Sequence, residues 1–578
     1  MLSKLSLFSL LLLAGSASAD VRYVDANNFS GSNDGTSWGN AFFGPAGLQT
    51  ALAASSSGDQ IWCAEGVYLP TNGSSRGVSI VLKNGVQVYG GFNGTESSLD
   101  QRPALGVAPS VLSGDLLDND ASGSVTDNSY HVLKGTSTNA TAVLDGFTVS
   151  GGNSNGSGNN NKGGGILCIS NSSPSIRNCL FINNRCTFGG GAGYISGSSP
   201  SFTDCTFQDN IGGSYGGAFD IAGAGAVLFD RCAFYGNRAA RAGALEIYST
   251  SGPRVTNCVF SGNTATGGGG GGALWIGTGG NTQLRNCTVV GNFSTVNVAA
   301  GLRVSGASPS IANCIFWDNV GPGGAQASAN QVTGTSAVTY SIVEGGLSGT
   351  GNIALTPQFT DLANGDLSLA GTSVGLDAGS NSMVPAGILL DKAHNPRFAD
   401  APASDSGSGT APVVDIGAYE FTPVQVLAFC SGDGSGTPCP CSNTGGSGEG
   451  CANTTGSGAV LSGVGSVSVG AADLVLRVSQ LTQGPGLFFQ GNNAVNGGNG
   501  NTFGDGLRCA GGGVIRLEVR FANAGNNYTA DSTLPIAAAG GASAGQTRRY
   551  QYWYRDSGTS PCASLFNLSN GVEVTWAP

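Results

Sequence analysis

Between residues 163 and 319 one phrase is written six times, and no other feature of the chain narrows its fold as much. The copies are NCLFINN (178–184), DCTFQDN (204–210), RCAFYGN (231–237), NCVFSGN (257–263), NCTVVGN (286–292) and NCIFWDN (313–319). Their cysteines, Cys179, Cys205, Cys232, Cys258, Cys287 and Cys314, lie 26, 27, 26, 29 and 27 residues apart. A fixed period of this length marks a solenoid, in which each repeat buries its apolar face only by stacking on the next.

Side-chain parity identifies the coil. Ile176 falls on one parity and Cys179 and Phe181 on the other, yet all three are apolar. Strand alternation has period two, so an inward set that changes parity requires a bend between its members. The bend falls at Asn178 and its equivalents Asp204, Arg231, Asn257, Asn286 and Asn313. Asn and Asp tolerate left-handed backbone, which suits a short corner. Five positions after each cysteine stands another asparagine: Asn184, Asn210, Asn237, Asn263, Asn292 and Asn319. Stacked at the strand spacing of about 4.8 Å, these amides can bond one another and the turn backbone as a ladder.

A second alternating strand opens each coil, as in AFDIA (218–222) and ALEIY (244–248), with Phe219 and Ile221 or Leu245 and Ile247 as inward pairs. Between them runs an outward column: Cys168, Tyr194, Asp220, Glu246, Trp275, Arg303. Glycine pairs such as Gly216 and Gly217 precede these strands and supply a sharp corner. Three short strands per coil, each pairing with the next coil, predict an all-β chain built on a right-handed parallel β-helix. The GG-A and NC-x-F-x-x-N phrases resemble those of secreted right-handed β-helix proteins, including the polymorphic outer-membrane protein repeats. The resemblance covers most of residues 20–421 and implies fold rather than function, because this architecture serves lyases, hydrolases, adhesins and passive stalks alike.

In chain order, residues 1–19 read as a secretory signal peptide, with Lys4, an apolar run and the exit Ala17-Ser18-Ala19. Residues 20–110 read as an N-terminal cap with a helix near Pro45 to Ala54. Residues 111–343 read as eight coils, and 344–429 as a closing segment and linker. Residues 430–578 read as a β-sandwich-like module, in which Cys430, Cys439, Cys441, Cys451, Cys509 and Cys562 allow up to three disulfides. The helix cysteines read as a mainly unbridged buried stack, with Cys168 and Cys186 as the local pair expected to bond. This last module does not read as the barrel of the polymorphic outer-membrane proteins, a departure that takes barrel-mediated display out of the expectation.

Net charge −11 with no basic patch interleaved with aromatics excludes nucleic acid as a partner. Two histidines, His131 and His394, leave little for a histidine metal site or a serine triad. No later run is long and apolar enough to span a bilayer, so a secreted or cell-surface location is expected. Candidate chemistry rests on three places. Asp220 and Glu246, one strand spacing apart, suit a carboxylate pair, with Arg303 to meet a uronate and Tyr194 and Trp275 to stack on sugars. Asp118 and Asp120, beside Asp115 and Asp127, form an oxygen-rich loop suited to Ca²⁺ or to a solvated turn, and no other cofactor is implied. DKAHNPR (391–397) groups Asp391, His394 and Arg397 in what reads as a turn. Two functions follow as expectations. One is a structural or adhesive helix presenting a surface to extracellular polysaccharide or cell-surface protein; the alternative is a polysaccharide lyase or glycoside hydrolase working along the outward face.

Overall fold

The computed structural model describes residues 19–577 apart from 224, 249–250, 280, 296–298, 323–327, 335–336, 402–403, 422–425, 466, 468, 471–473, 523–527 and 557–559. The expected signal segment, save its last residue, lies outside them. The chain divides into two compact units, the first ending at Ala354 and the second beginning at Leu355.

The first unit is a parallel β-helix. Its strands line up in three long sheets of 12, 10 and 9 strands, each strand pairing in parallel with its equivalent one coil away. One coil shows the pattern: Phe219–Ala222, Leu228–Asp230 and Ala233–Tyr235 each belong to a different sheet. The corner before the third strand is left-handed at Asn178, Asp204, Arg231, Asn257, Asn286 and Asn313, with φ between 48° and 56°. That twist turns Ile176, Cys179 and Phe181 all inward, and the equivalents of all three are buried along the helix. Arg231, the one non-Asx residue among the six, grips Asp204 of the preceding coil at 2.9 Å. The strands expected in the cap already pair within the sheets: Gln60–Ala64 and Gln87–Phe92 join the first, Gly66–Tyr68 the second, Ile80–Val81 the third. The expected helix forms at Gly47–Ala54 and buries Leu48, Ala51 and Leu52.

The asparagine ladder forms as a continuous chain. Asn237 illustrates it: Nδ2 donates to Asn263 Oδ1 (2.9 Å) and to the Phe207 carbonyl (2.8 Å). Its Oδ1 accepts from the backbone N–H and Nδ2 of Asn210. Every hydrogen and lone pair of the amide is used, which is what a fully buried asparagine requires. At one end Asn184 Oδ1 accepts from Gly152 N–H; at the other Asn319 hands the pattern to Gln331, whose Nε2 meets Glu344.

Beside three two-stranded sheets among the described residues, the second unit is built mainly on two larger antiparallel ones. One joins Leu427–Phe429, Gly571–Thr575, Thr547–Arg555, Pro485–Gly491 and Ile515–Phe521; the other joins Val460–Val464, Val475–Ser479 and Ala530–Asp531. Leu461, Leu476, Phe488, Tyr552, Val572 and Trp576 share one core between them, so the module is sandwich-like as expected. Its six cysteines pair as Cys430–Cys509, Cys439–Cys451 and Cys441–Cys562. The other nine cysteines are buried and unbridged, which corrects the expected Cys168–Cys186 bond. The two belong to different sheets, and burial pushes both thiols up to about 12, far from the thiolate that exchange chemistry needs.

Candidate functional site

The outward column exists, with its first member corrected. Pairing sets Leu167, not Cys168, beside Tyr194, and continues Tyr194 to Asp220 to Glu246 to Trp275 to Arg303. Cys168 pairs with Ile195 and faces inward. Lys134 precedes Leu167 in the column.

The column differs from expectation in exposure. Tyr194, Asp220, Glu246 and Trp275 retain only 7%, 5%, 2% and 7% of their surface. The turns leading into these strands fold back over them. Lys162, Gly189, Tyr215 and Arg241 bridge one to the next in parallel and form a short extra ladder on the outside. The approach is close enough that a Cβ on Gly189 would lie 2.1 Å from Asp220 Oδ2, so glycine is required there. Arg241 lies between the rings of Tyr215 and Trp275, 4.5 and 4.1 Å from their centroids, and its Nε and Nη2 both bond Glu246 Oε1. Lys162 sits over Phe188 and Tyr194 at 5.0 and 4.6 Å.

Burial sets the electrostatics. Asp220 is pushed up to about 7, first by desolvation and then by Glu246, while Lys162 and Arg241 pull the other way. Desolvation also raises Glu246 against the opposing hydrogen bond and charge of Arg241. The arrangement can hold a proton near neutrality, but its carboxylates lie beneath side chains rather than in a groove. Arg303, next after Trp275, is partly exposed.

The acidic loop spends part of its oxygens on its own backbone, while Asp120 Oδ1 and Asp127 Oδ1 are buried without a hydrogen-bond partner among the described residues. Asp115 accepts from the N–H groups of Asn119 and Asp120, and Asp127 from that of Leu117. Asp118 is exposed in left-handed backbone, and Asp120 Oδ2 accepts from Asn128. His131 is buried with Nδ1 at 2.8 Å from the Gly163 carbonyl, and burial lowers its pKa. In DKAHNPR, Arg397 is wholly buried, pairs with Glu420 at 3.3 Å and donates to the carbonyls of Asp415, Gly417 and Ala418. Asp391 accepts from the backbone of Ala393, Asn395 and Glu420, so both residues build the turn, while His394 is exposed.

Sequence reading missed an open groove of about 570 Å³ on the second unit. Phe503, Phe566 and Trp553 form a row with centroids 5.3 and 5.6 Å apart, and Leu487, Val519, Arg508 and Arg516 complete the walls. The sequence shows only the alternation of Arg516, Glu518 and Arg520 with Ile515, Leu517, Val519 and Phe521, one charged and one apolar face, whereas a register shift between Glu518 and Arg516 brings Arg516 to the same groove as Val519. The strand lies at the edge of its sheet, pairing only with Pro485–Gly491.

The family model described as right handed beta helix region matches residues 194–355, in agreement with the handedness expected of the coils. No curated protein matches the chain. Among solved structures, the chain is similar to that described as "Crystal structure of pectate lyase Pel9A". The identity is 15% over 70% of this chain and 97% of that one, with a TM-score of 0.34, a likeness too loose to transfer any residue.

Proposed function

We propose that the chain is a secreted, non-catalytic binding protein whose β-helix is a stiff scaffold and whose second unit contacts an acidic extracellular polysaccharide. The observation that carries this reading is the groove of Trp553, Phe566 and Phe503 with Arg508 and Arg516 at its walls. Aromatic faces suit the apolar faces of sugar rings, and guanidinium groups suit carboxylates. Neither arginine makes an ion pair among the described residues, in a protein of net charge −11. Three disulfides in this unit support an oxidising, extracellular setting. No helix among the described residues is long and apolar enough to cross a membrane.

The test is binding of the intact protein to polygalacturonate, alginate and a neutral glucan. Trp553→Ala is expected to weaken binding to the acidic polymers at least tenfold, about 1.4 kcal/mol. Arg516→Gln is expected to remove the preference for acidic over neutral polymer, and added salt to weaken it. Undiminished binding by Trp553→Ala overturns the reading.

One observation favours a polysaccharide lyase or hydrolase instead: Asp220, pushed up to about 7, has the protonation range of a general acid or base. New reducing ends or unsaturated products released by the wild type, and lost in Asp220→Asn and Glu246→Gln, would establish that alternative.

A further inference from the structure

In the segment from Asp377 to Glu420 nearly every buried carboxylate oxygen is satisfied, and the exception points to a ligand. Asp391 Oδ1 takes the N–H groups of Ala393 and Asn395, and its Oδ2 takes that of Glu420. Asp415 Oδ1 and Oδ2 take those of Asp377 and Phe421. Glu420 Oε1 and Oε2 take those of Ala399 and Asp415, and Oε2 also faces Arg397. Asp377 is as deeply buried, at 0% exposure, yet its Oδ2 has no hydrogen-bond partner among the described residues, and Oδ1 has only the Ala401 N–H at 3.4 Å. A buried carboxylate oxygen left bare is costly, and an ion is one of the few things that explains it.

Its surroundings specify the ion. Oxygens of Asp377, Asp400 and Asp405 all lie within 4.8 Å of one another, the one such group of potential ligands among the described residues. None of the three enters an ion pair among those residues. The grouping is held by the backbone: Ser406 and Gly407 both donate to the Asp377 carbonyl at 2.9 Å, and Ala401 donates to its side chain. Ala401, next to Asp400, and Ser406, next to Asp405, are therefore both tied to Asp377.

We infer that Asp377, Asp400 and Asp405 form a divalent-cation site selective for Ca²⁺. The donors are hard oxygens, one buried and two exposed, leaving room for water; Ca²⁺ accepts such irregular shells, whereas Mg²⁺ demands a near-ideal octahedron and sheds water reluctantly. The site shares no residue with the acidic loop at Asp118 and Asp120 or with the groove on the module.

Equilibrium dialysis of the intact chain against Ca²⁺ tests it, with Asp400→Asn and Asp405→Asn as near-isosteric changes at exposed positions. One Ca²⁺ per chain is expected at half-saturation of about 0.1–1 mM, the range of extracellular modules, weakened at least tenfold in each variant and not displaced by equal Mg²⁺. No binding by the wild type up to about 10 mM overturns the site. Undiminished binding by the double variant also overturns it, by assigning the ion to other residues.

Discussion

Asn237→Ala is expected to cost the β-helix about 3–6 kcal/mol, measured as a shift in urea midpoint at unchanged slope. The cost comes from the groups left behind rather than from the bonds removed. Without the Asn237 amide, the backbone N–H and Nδ2 of Asn210 lose their acceptor and the Phe207 carbonyl loses its donor. All of them are enclosed in a helix where Asn210, Asn237 and Phe207 have no exposed surface, so water does not replace the missing partner. Each such orphan costs about 1–3 kcal/mol, and a cavity adds to the sum. Asn184→Ala provides the control. At the end of the ladder its Oδ1 holds only the Gly152 N–H, and its Nδ2 the Val149 and Ile182 carbonyls and Asn210. Roughly half the loss is expected there. A midpoint shift at Asn237 equivalent to less than about 1 kcal/mol would mean that the helix can repack around the gap and that the ladder is not what holds its coils in register.

The same ladder shows how much of this fold was legible in the chain. Coil length, the left-handed corner at Asn178 and the inward turn of Cys179 and Phe181 all follow from period and parity, because those properties are local to one strand and its bend. The fate of the outward column was not legible in that way. Alternation says that Asp220 points away from the helix interior; it does not say what lies on top. The covering turn had a trace in the sequence, since Lys162, Gly189, Tyr215 and Arg241 themselves recur at intervals of 27, 26 and 26. Their residue types differ, however, so no repeated phrase marks them. Cys168 was assigned to the wrong face for a related reason: GILCIS has apolar residues at both parities, and only pairing with Gly193, Tyr194 and Ile195 decides which set turns inward. The groove on the second unit was less legible still, because its lining comes from strands distant in sequence, at 485–491, 501–503, 515–521, 547–555 and 566–568.

Asp220→Asn separates the two meanings of a buried acid, and is expected to stabilise the helix at pH 8 by up to about 4 kcal/mol while leaving stability at pH 4 almost unchanged. Unfolded, this carboxyl ionises near the ordinary value of about 3.9; folded, burial and Glu246 hold it up to about 7. A folded pKa raised above the unfolded one means that the contribution to stability is fully present below about pH 4 and is lost as pH rises through about 7. An asparagine does not titrate, so the gap between variant and wild type opens across that window and levels off above it. The amide also preserves what the neutral acid supplies. Glu246 Oε2 is buried with no hydrogen-bond partner among the described residues, and position 220 is directly across the pairing from it. A protonated Asp220 sets a donor on that neighbouring rung, and so does an asparagine Nδ2, without the charge that burial and Glu246 oppose. Urea unfolding of both proteins at pH 4, 6 and 8 gives the profile, and equal stability at pH 8 would mean that the Asp220 carboxylate is ionised and compensated in the folded protein. Run beside the depolymerisation assay, the variant also discriminates function. A more stable protein that binds acidic polymer as before marks Asp220 as an element of the scaffold. A more stable protein that has lost a measurable cleavage activity marks a strained acid retained for chemistry, since stability gained at the expense of turnover is characteristic of a catalytic group.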